Sequence, residues 1–407
     1  MEPASPDPRG TIPENLGSAS TSFDAPGAAS TSLDALSPDS VRSASAGSPL
    51  REPGRLLPRA IATLDPGYFA FVMATGIVSI GTHLLGYDLL SEVILGFAAA
   101  GFLVLLAAYL ARFVFFQPFV RQSAADPTVA MAYFTVVAGT DVLATRVALA
   151  GHPLVAFGLG CGAAVVWVLL TYGLPGSIVA AAHRPVLREI NGTWLVWVVS
   201  TQSLSIIATA VAPHAPASWL QRALPSVAVS LWGLGVMLYL VLIVIIFLRL
   251  LVVEVTPAEM GPAYWIAMGA TAISVRAAAG ILALHDPDAQ LLVTALRPFV
   301  VGLSVVLWAF GTWWIPLLVL FGVWRYVLRR YPRSYEPRLW NMVFPLGMYT
   351  VASFSLGQTP GLGFMVAVAR VWVWVGVAAW VAVLCLMVAA LARALVERRH
   401  PERRTVA

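Results

Sequence analysis

The chain has 407 residues, 59% of them hydrophobic and only 11% charged. A soluble domain carries about 25% charged residues, so soluble globular classes are excluded and the chain reads as a polytopic membrane protein. All the basic residues are arginine and the net charge is +5, with no basic run interleaved with aromatics, so nucleic acid is excluded as a partner and the lipid bilayer is the expected one.

Residues 1–55 are rich in Ser, Ala, Pro and Asp and hold no apolar run. They predict a disordered cytoplasmic tail, not a signal peptide. Residues 56–395 predict the transmembrane domain, and 396–407 a basic C-terminal tail. A span needs about 20 mostly apolar residues. Ten stretches fit: 66–86, 92–116, 129–150, 153–174, 192–212, 225–250, 262–284, 298–327, 339–358 and 366–392. Their short connections pair them as five helical hairpins. Arginines gather on one side, among them Arg59, Arg121, Arg188, Arg249, Arg329 and Arg393, while Asp88, Glu92, Asp286 and Asp288 fall on the other. The positive-inside rule then puts both termini in the cytoplasm and requires an even number of spans. The expected location is the plasma membrane.

The odd spans carry polar residues in their cores: Thr75 and Ser79, then Thr140, Asp141 and Arg146, then Ser200 and Gln202, then Thr271 and Arg276, then Ser353. The even spans are nearly bare and carry aliphatic runs such as 238–251. Polar groups cost free energy in hydrocarbon unless they meet partners or water. The expected fold is therefore all-α, with the odd helices around a central pore and the even helices outside. Each odd span also opens with aromatics, Tyr68-Phe69, Tyr133-Phe134, Trp194, Tyr264-Trp265 and Trp340. That repeat suggests a pseudo-fivefold ring. In the ninth span Pro345 removes a backbone donor directly after Phe344; the helix then reads as one wall of a conduit with Phe344 as a candidate plug, or, taken alone, more plainly as a proline-kinked packing helix.

Pro66-Gly67-Tyr68-Phe69 at the first span, and Trp340 followed four residues later by Phe344 in the ninth, resemble the tellurite-resistance/dicarboxylate transporter family. That family includes the bacterial TehA-type channels and the plant slow anion channels. The resemblance covers about residues 60–395. It implies a homotrimer with one pore per subunit, and a pore occluded by the phenylalanine at position 344. Pro345, directly after that phenylalanine, departs from the TehA pattern.

Several groups are candidates for the chemistry. Arg146 and Arg276 would attract an anion, which needs positive potential without tight retention; the plainer reading pairs each with a carboxylate or carbonyl. Asp141, near the middle of the third span, would form an ion pair with Arg276 or act as a proton site. The hydroxyl and amide groups of Thr75, Ser79, Thr140, Ser200, Gln202, Thr271 and Ser353 would line the pore, or else bond to carbonyls one turn back. His83, His152, His214 and His285 fall near the outer ends of four odd spans and would make anion access pH-dependent. Ordinary interfacial histidines are the plainer reading. Cys161 and Cys385 read as small hydrophobes, and neither a metal nor a cofactor is expected. No nucleophile–base pair or metal-ligand set falls at membrane depth, so an intramembrane enzyme is a remote alternative. The expected function is passage of a small anionic substrate: a C4-dicarboxylate of the malate type, or sulfite, tellurite, nitrate or chloride. A channel and a proton-coupled carrier are both open.

Overall fold

Five helices share one way of starting. Each follows a short 3-10 turn: Pro66–Phe69, Ala130–Tyr133, Gly192–Leu195, Pro262–Trp265 and Pro337–Leu339. Proline opens three of these turns, where its fixed φ suits a helix start and its missing N–H would be unpaired anyway. Side chains cap two more donors: Gly67 N–H donates to Asp65 Oδ1 at 2.7 Å and Thr193 N–H to Asn191 Oδ1 at 2.9 Å.

The computed structural model describes residues 56–181, 186–284, 287–332 and 334–399, with no strand among them. The expected tail at 1–55 and residue His285 lie outside the described residues. The helices are α1 (Leu56–Ala62), α2 (Ala70–Leu84), α3 (Asp88–Phe115), α4 (Gln117–Ala125), α5 (Phe134–Leu149), α6 (Pro153–Ala181), α7 (Val196–Val211), α8 (Ser218–Val252), α9 (Ile266–Leu282), α10 (Pro287–Val323), α11 (Trp340–Gly357) and α12 (Phe364–Arg399). Two expected starts, at 225 and 298, are overrun. Pro225 and Pro298 sit inside α8 and α10, as proline does in membrane helices when neighbouring protein satisfies the freed backbone. The last helix likewise runs past 395 to Arg399. Among the described residues nine helices, counted with their opening turns, are long and apolar enough to cross a membrane. The 18-residue α11 is not one of them.

The polar helices pack in a closed ring: α2 on α5, α5 on α7, α7 on α9, α9 on α11, and α11 back on α2. Each is followed in sequence by a longer helix that packs against it: α3, α6, α8, α10 and α12. Burial separates the two sets. In α2, α5, α7 and α9 between 67% and 89% of the most apolar window is buried, against 17% to 39% in the longer helices. The exposed faces of the longer helices are aliphatic, with Leu103, Val104, Val165, Leu169, Val244, Leu320 and Val371 among them.

Indole groups hold the layers together. Trp167 Nε1 of α6 donates to Thr201 Oγ1 of α7 at 3.0 Å, and Trp232 Nε1 of α8 to the Ser274 carbonyl of α9 at 3.1 Å. Trp308 Nε1 of α10 donates to Ser353 Oγ of α11 at 2.8 Å, and Trp380 Nε1 of α12 to Thr75 Oγ1 of α2 at 3.1 Å. Each bond runs from an outer helix to an inner one. At the opening-turn end of the bundle, buried arginines late in the outer helices reach tyrosines that open inner ones. Arg112 Nη1 donates to Tyr133 Oη and Arg249 Nη1 to Tyr264 Oη, both at 2.8 Å. These two tyrosine openings are thus docking points.

Where α9 meets α11 the backbones come close. A Cβ placed on Gly269 would lie 2.8 Å from Pro345 Cγ. Gly269→Ala should therefore cost about 1–3 kcal/mol through overpacking, read as a lower melting temperature in detergent. Gly233→Ala, where nothing lies within 4 Å of the new methyl, should leave stability unchanged or slightly raised.

Candidate functional site

The five inner helices meet at one small cavity of about 20 Å³, walled by Ile77 and Ile80 of α2, Asp141, Val142 and Thr145 of α5, Ser203 and Ile206 of α7, Ile273 and Arg276 of α9, and Met348 and Val351 of α11. The opening turns explain which residues arrive there. The residue eleven past the first residue of each turn lines the cavity in all five helices: Pro66 leads to Ile77, Ala130 to Asp141, Gly192 to Ser203, Pro262 to Ile273 and Pro337 to Met348. About one turn further along, the equivalent residues include Ile80, Ile206, Arg276 and Val351, which line it as well.

One turn nearer the opening turns, the residues in register are Met73, Val137, Val199, Gly269 and Phe344. The four side chains in this set are fully buried. Beyond them, at the opening-turn end, a wide recess of about 650 Å³ is lined by Thr128, Arg188, Asn191, Thr193, Arg249, Glu259, Pro262, Glu336 and Arg338, among others. At the opposite end a recess of about 430 Å³ is lined by Thr209, Gly280, Arg297, Ser355, Gln358 and Thr359, and it also includes Arg276.

Arg276 therefore lies on the wall of both the central cavity and this second recess. Its guanidinium has no hydrogen bond or ion pair among the described residues; Nη1 lies beside Gly280. Arg146 is placed differently. It turns away from the cavity toward α3, where Nη2 donates to Glu92 Oε1 at 2.7 Å and to Ser91 Oγ at 3.1 Å, and Nε reaches Ser79 Oγ at 3.2 Å. The carboxylate partner foreseen as the plainer reading is thus Glu92.

Asp141 forms no ion pair with Arg276, although both line the cavity. Its Oδ2 accepts from Ser203 Oγ at 2.7 Å, and its buried Oδ1 has no partner in the protein. The expected Asp141–Arg276 bridge is corrected accordingly: the two side chains come from α5 and α9, which do not adjoin in the ring.

None of the seven expected pore-lining groups is on the wall of the cavity or of either recess. Thr75 and Ser353 accept from Trp380 and Trp308. Ser79 bonds Ser91 of α3, and Gln202 Nε2 donates to the Trp232 carbonyl of α8 at 3.1 Å. Thr140, Ser200 and Thr271 donate to backbone carbonyls three or four residues back. A buried hydroxyl takes the partner it can reach, and here that partner is an outer helix or its own turn. Ser203, which does line the cavity, was legible only through the register set by the opening turns, and Thr145, which lines it too, falls one residue off that register. The three described histidines line none of these spaces either; His83 Nδ1 sits 2.7 Å from Asp88 Oδ1, and His152 and His214 are exposed.

Residues 63–388 match the voltage-dependent anion channel family. The chain belongs to that family. Over 143 residues it is 42% identical to an uncharacterized membrane protein of Mycobacterium tuberculosis, in strains CDC 1551 and H37Rv alike; the match covers 35% of this chain and 71% of that protein. Over 170 residues it is 26% identical to an uncharacterized transporter of Methanocaldococcus jannaschii, covering 41% of this chain and 46% of that one. Membership in the voltage-dependent anion channel family makes this a multi-pass membrane protein of an anion-transport family.

In a member of that family the two arginines differ in kind. Arg146 is a tether between α5 and α3. Arg146→Met should cost about 1–3 kcal/mol of stability, the usual penalty for hydrogen bonds lost at a buried charged group. Thermal unfolding in detergent measures it, and anion flux per folded molecule should stay unchanged.

Proposed function

We propose that the protein passes small anions across the plasma membrane along the axis of the five-helix ring, through a path closed by Phe344. The observation that carries this reading is Arg276, an uncompensated guanidinium shared by the central cavity and the second recess. An anion leaving water needs a positive group that holds it loosely, and a cation already committed to a carboxylate offers little. A charge at membrane depth that faces a cavity is by default the mark of an ion pathway.

In this reading α11 is a tenth crossing. It packs against α2, α9 and α12, and a helix buried among protein needs no lipophilic surface. Its modest apolarity, with Asn341, Tyr349, Thr350 and Ser353 buried, follows from that position. Ten crossings put both termini on one side, the arginine-rich side being cytoplasmic. The large recess at the opening turns, with Arg188, Arg249 and Arg338 on its wall, is then the cytoplasmic mouth. Phe344, in register with Met73, Val137 and Val199, separates that mouth from the central cavity. Gly269 on the facing helix contributes no side chain there, so the phenyl ring supplies much of the closure.

Phe344→Ala should raise chloride and nitrate flux into proteoliposomes several-fold; unchanged flux would rule out the plug. Arg276→Gln should lower that flux at least about tenfold, the effect of losing one favourable charge contact of roughly 1.4 kcal/mol, while the purified protein keeps its melting temperature. A loss of folded protein instead would make Arg276 structural.

A further inference from the structure

We infer that Asp141 is a proton-operated valve: the central cavity accepts an anion when the Asp141 carboxyl is protonated and excludes it when the carboxyl is ionised. This rests on the pathway proposed above and adds a control to it.

The cavity has two ionisable side chains on its wall, Asp141 and Arg276. Among the described residues the remaining wall is Ile77, Ile80, Val142, Ile206, Ile273, Met348 and Val351, with Thr145 and Ser203 as the only hydroxyls. The hydroxyls are committed: Thr145 Oγ1 donates to the Asp141 carbonyl at 2.8 Å, and Ser203 Oγ donates to Asp141 Oδ2 at 2.7 Å while also lying 2.8 Å from the Ser200 carbonyl. That leaves Asp141 Oδ1, fully buried and without a partner in the protein, on the wall of a space of about 20 Å³. Such a space holds one water-sized guest.

An ionised carboxylate there would cancel the positive potential of Arg276 and repel any anion in the same small volume, because a mostly apolar wall screens charges weakly. A protonated one reverses both effects. Its O–H becomes the one free donor on the wall opposite the guanidinium, so a compact anion would be held between a cation and a neutral acid. The proton stays on the carboxyl throughout; no bond forms or breaks apart from its exchange with water.

The other charged groups near α5 do not face this carboxyl. Arg146 on the same helix is turned to Ser79, Ser91 and Glu92. Among the described residues, α2 contributes only Ile77 and Ile80 to the wall, α7 only Ser203 and Ile206, and α11 only Met348 and Val351. The outer helices α3 and α6, which also pack on α5, contribute none.

The test uses full-length protein in liposomes, with chloride and nitrate uptake measured from about pH 5 to about pH 9. Wild-type uptake should fall about tenfold per pH unit on the alkaline side of a single midpoint, as one titrating group requires. Asp141→Asn, which keeps the size and the Ser203 contact, should show uptake that is flat with pH and at least as high as the wild-type acid plateau. An Asn variant with the wild-type pH profile would overturn the valve. So would a folded Asn variant inactive at every pH, which would mean that the proton travels with the anion. Infrared spectroscopy of the same purified proteins gives an independent reading. A carboxylic-acid carbonyl band, absent in Asp141→Asn, should grow when chloride is added at fixed pH, because the anion favours the protonated form. A band that ignores chloride overturns the inference. A band that responds while no anion crosses the membrane would instead overturn the transport reading and leave the proton-linked anion site standing.

Discussion

A polar group at the centre of a bilayer has to find its partner in the protein, because hydrocarbon offers none. That constraint organises this molecule from the outside inward. Thr75, Ser353 and the Ser274 carbonyl each receive an indole N–H from an outer helix, and Ser79 meets Ser91. The inner layer is thereby fastened to the outer one by directional bonds, in a solvent where apolar contact alone does not distinguish helix from lipid. Because so many hydroxyls are spent this way, the axis is left mostly apolar, and the few polar groups that do reach it gain weight.

The ring is fivefold in its backbone and not in its side chains. Eleven residues past the first residue of each opening turn stand Ile77, Asp141, Ser203, Ile273 and Met348. The next layer carries Ile80, Ile206, Arg276 and Val351. A scaffold built from repeated helix pairs thus presents an asymmetric centre: one acid, one arginine and two hydroxyls, Thr145 and Ser203, on an aliphatic wall. The proposed function rests on these departures from the repeat, since function is carried by sites placed on folds and not by the folds themselves.

Arg146 and Arg276 show how strongly surroundings decide a side chain's role. Each is an arginine on an inner helix and each has most of its surface covered. Arg146 has Glu92 and Ser91 of α3 and Ser79 of α2 within reach and is held by them. Arg276 has Gly280 one turn along its own helix and open space on either side, so its charge remains available to something that is not part of the chain.

The sequence by itself determined the membrane class, the placement of the apolar stretches, the division into polar and bare helices, and the aromatic openings that betray the repeat. These are local properties: hydropathy over a window of residues, and the cost of a polar group in hydrocarbon. It also singled out Asp141, Arg276 and Phe344, since an acid, a base and a phenylalanine before proline are conspicuous wherever they point. It did not reveal which way the hydroxyls point, that Glu92 claims Arg146, or that Ser203 and not Arg276 holds Asp141. Only the tertiary structure decided those matters. On an inner helix every side of the cylinder is covered, so no apolar stripe in the sequence separates the face toward the axis from the face toward the outer helices, and a rotation of 100° between neighbouring residues turns a pore-facing group into a structural one.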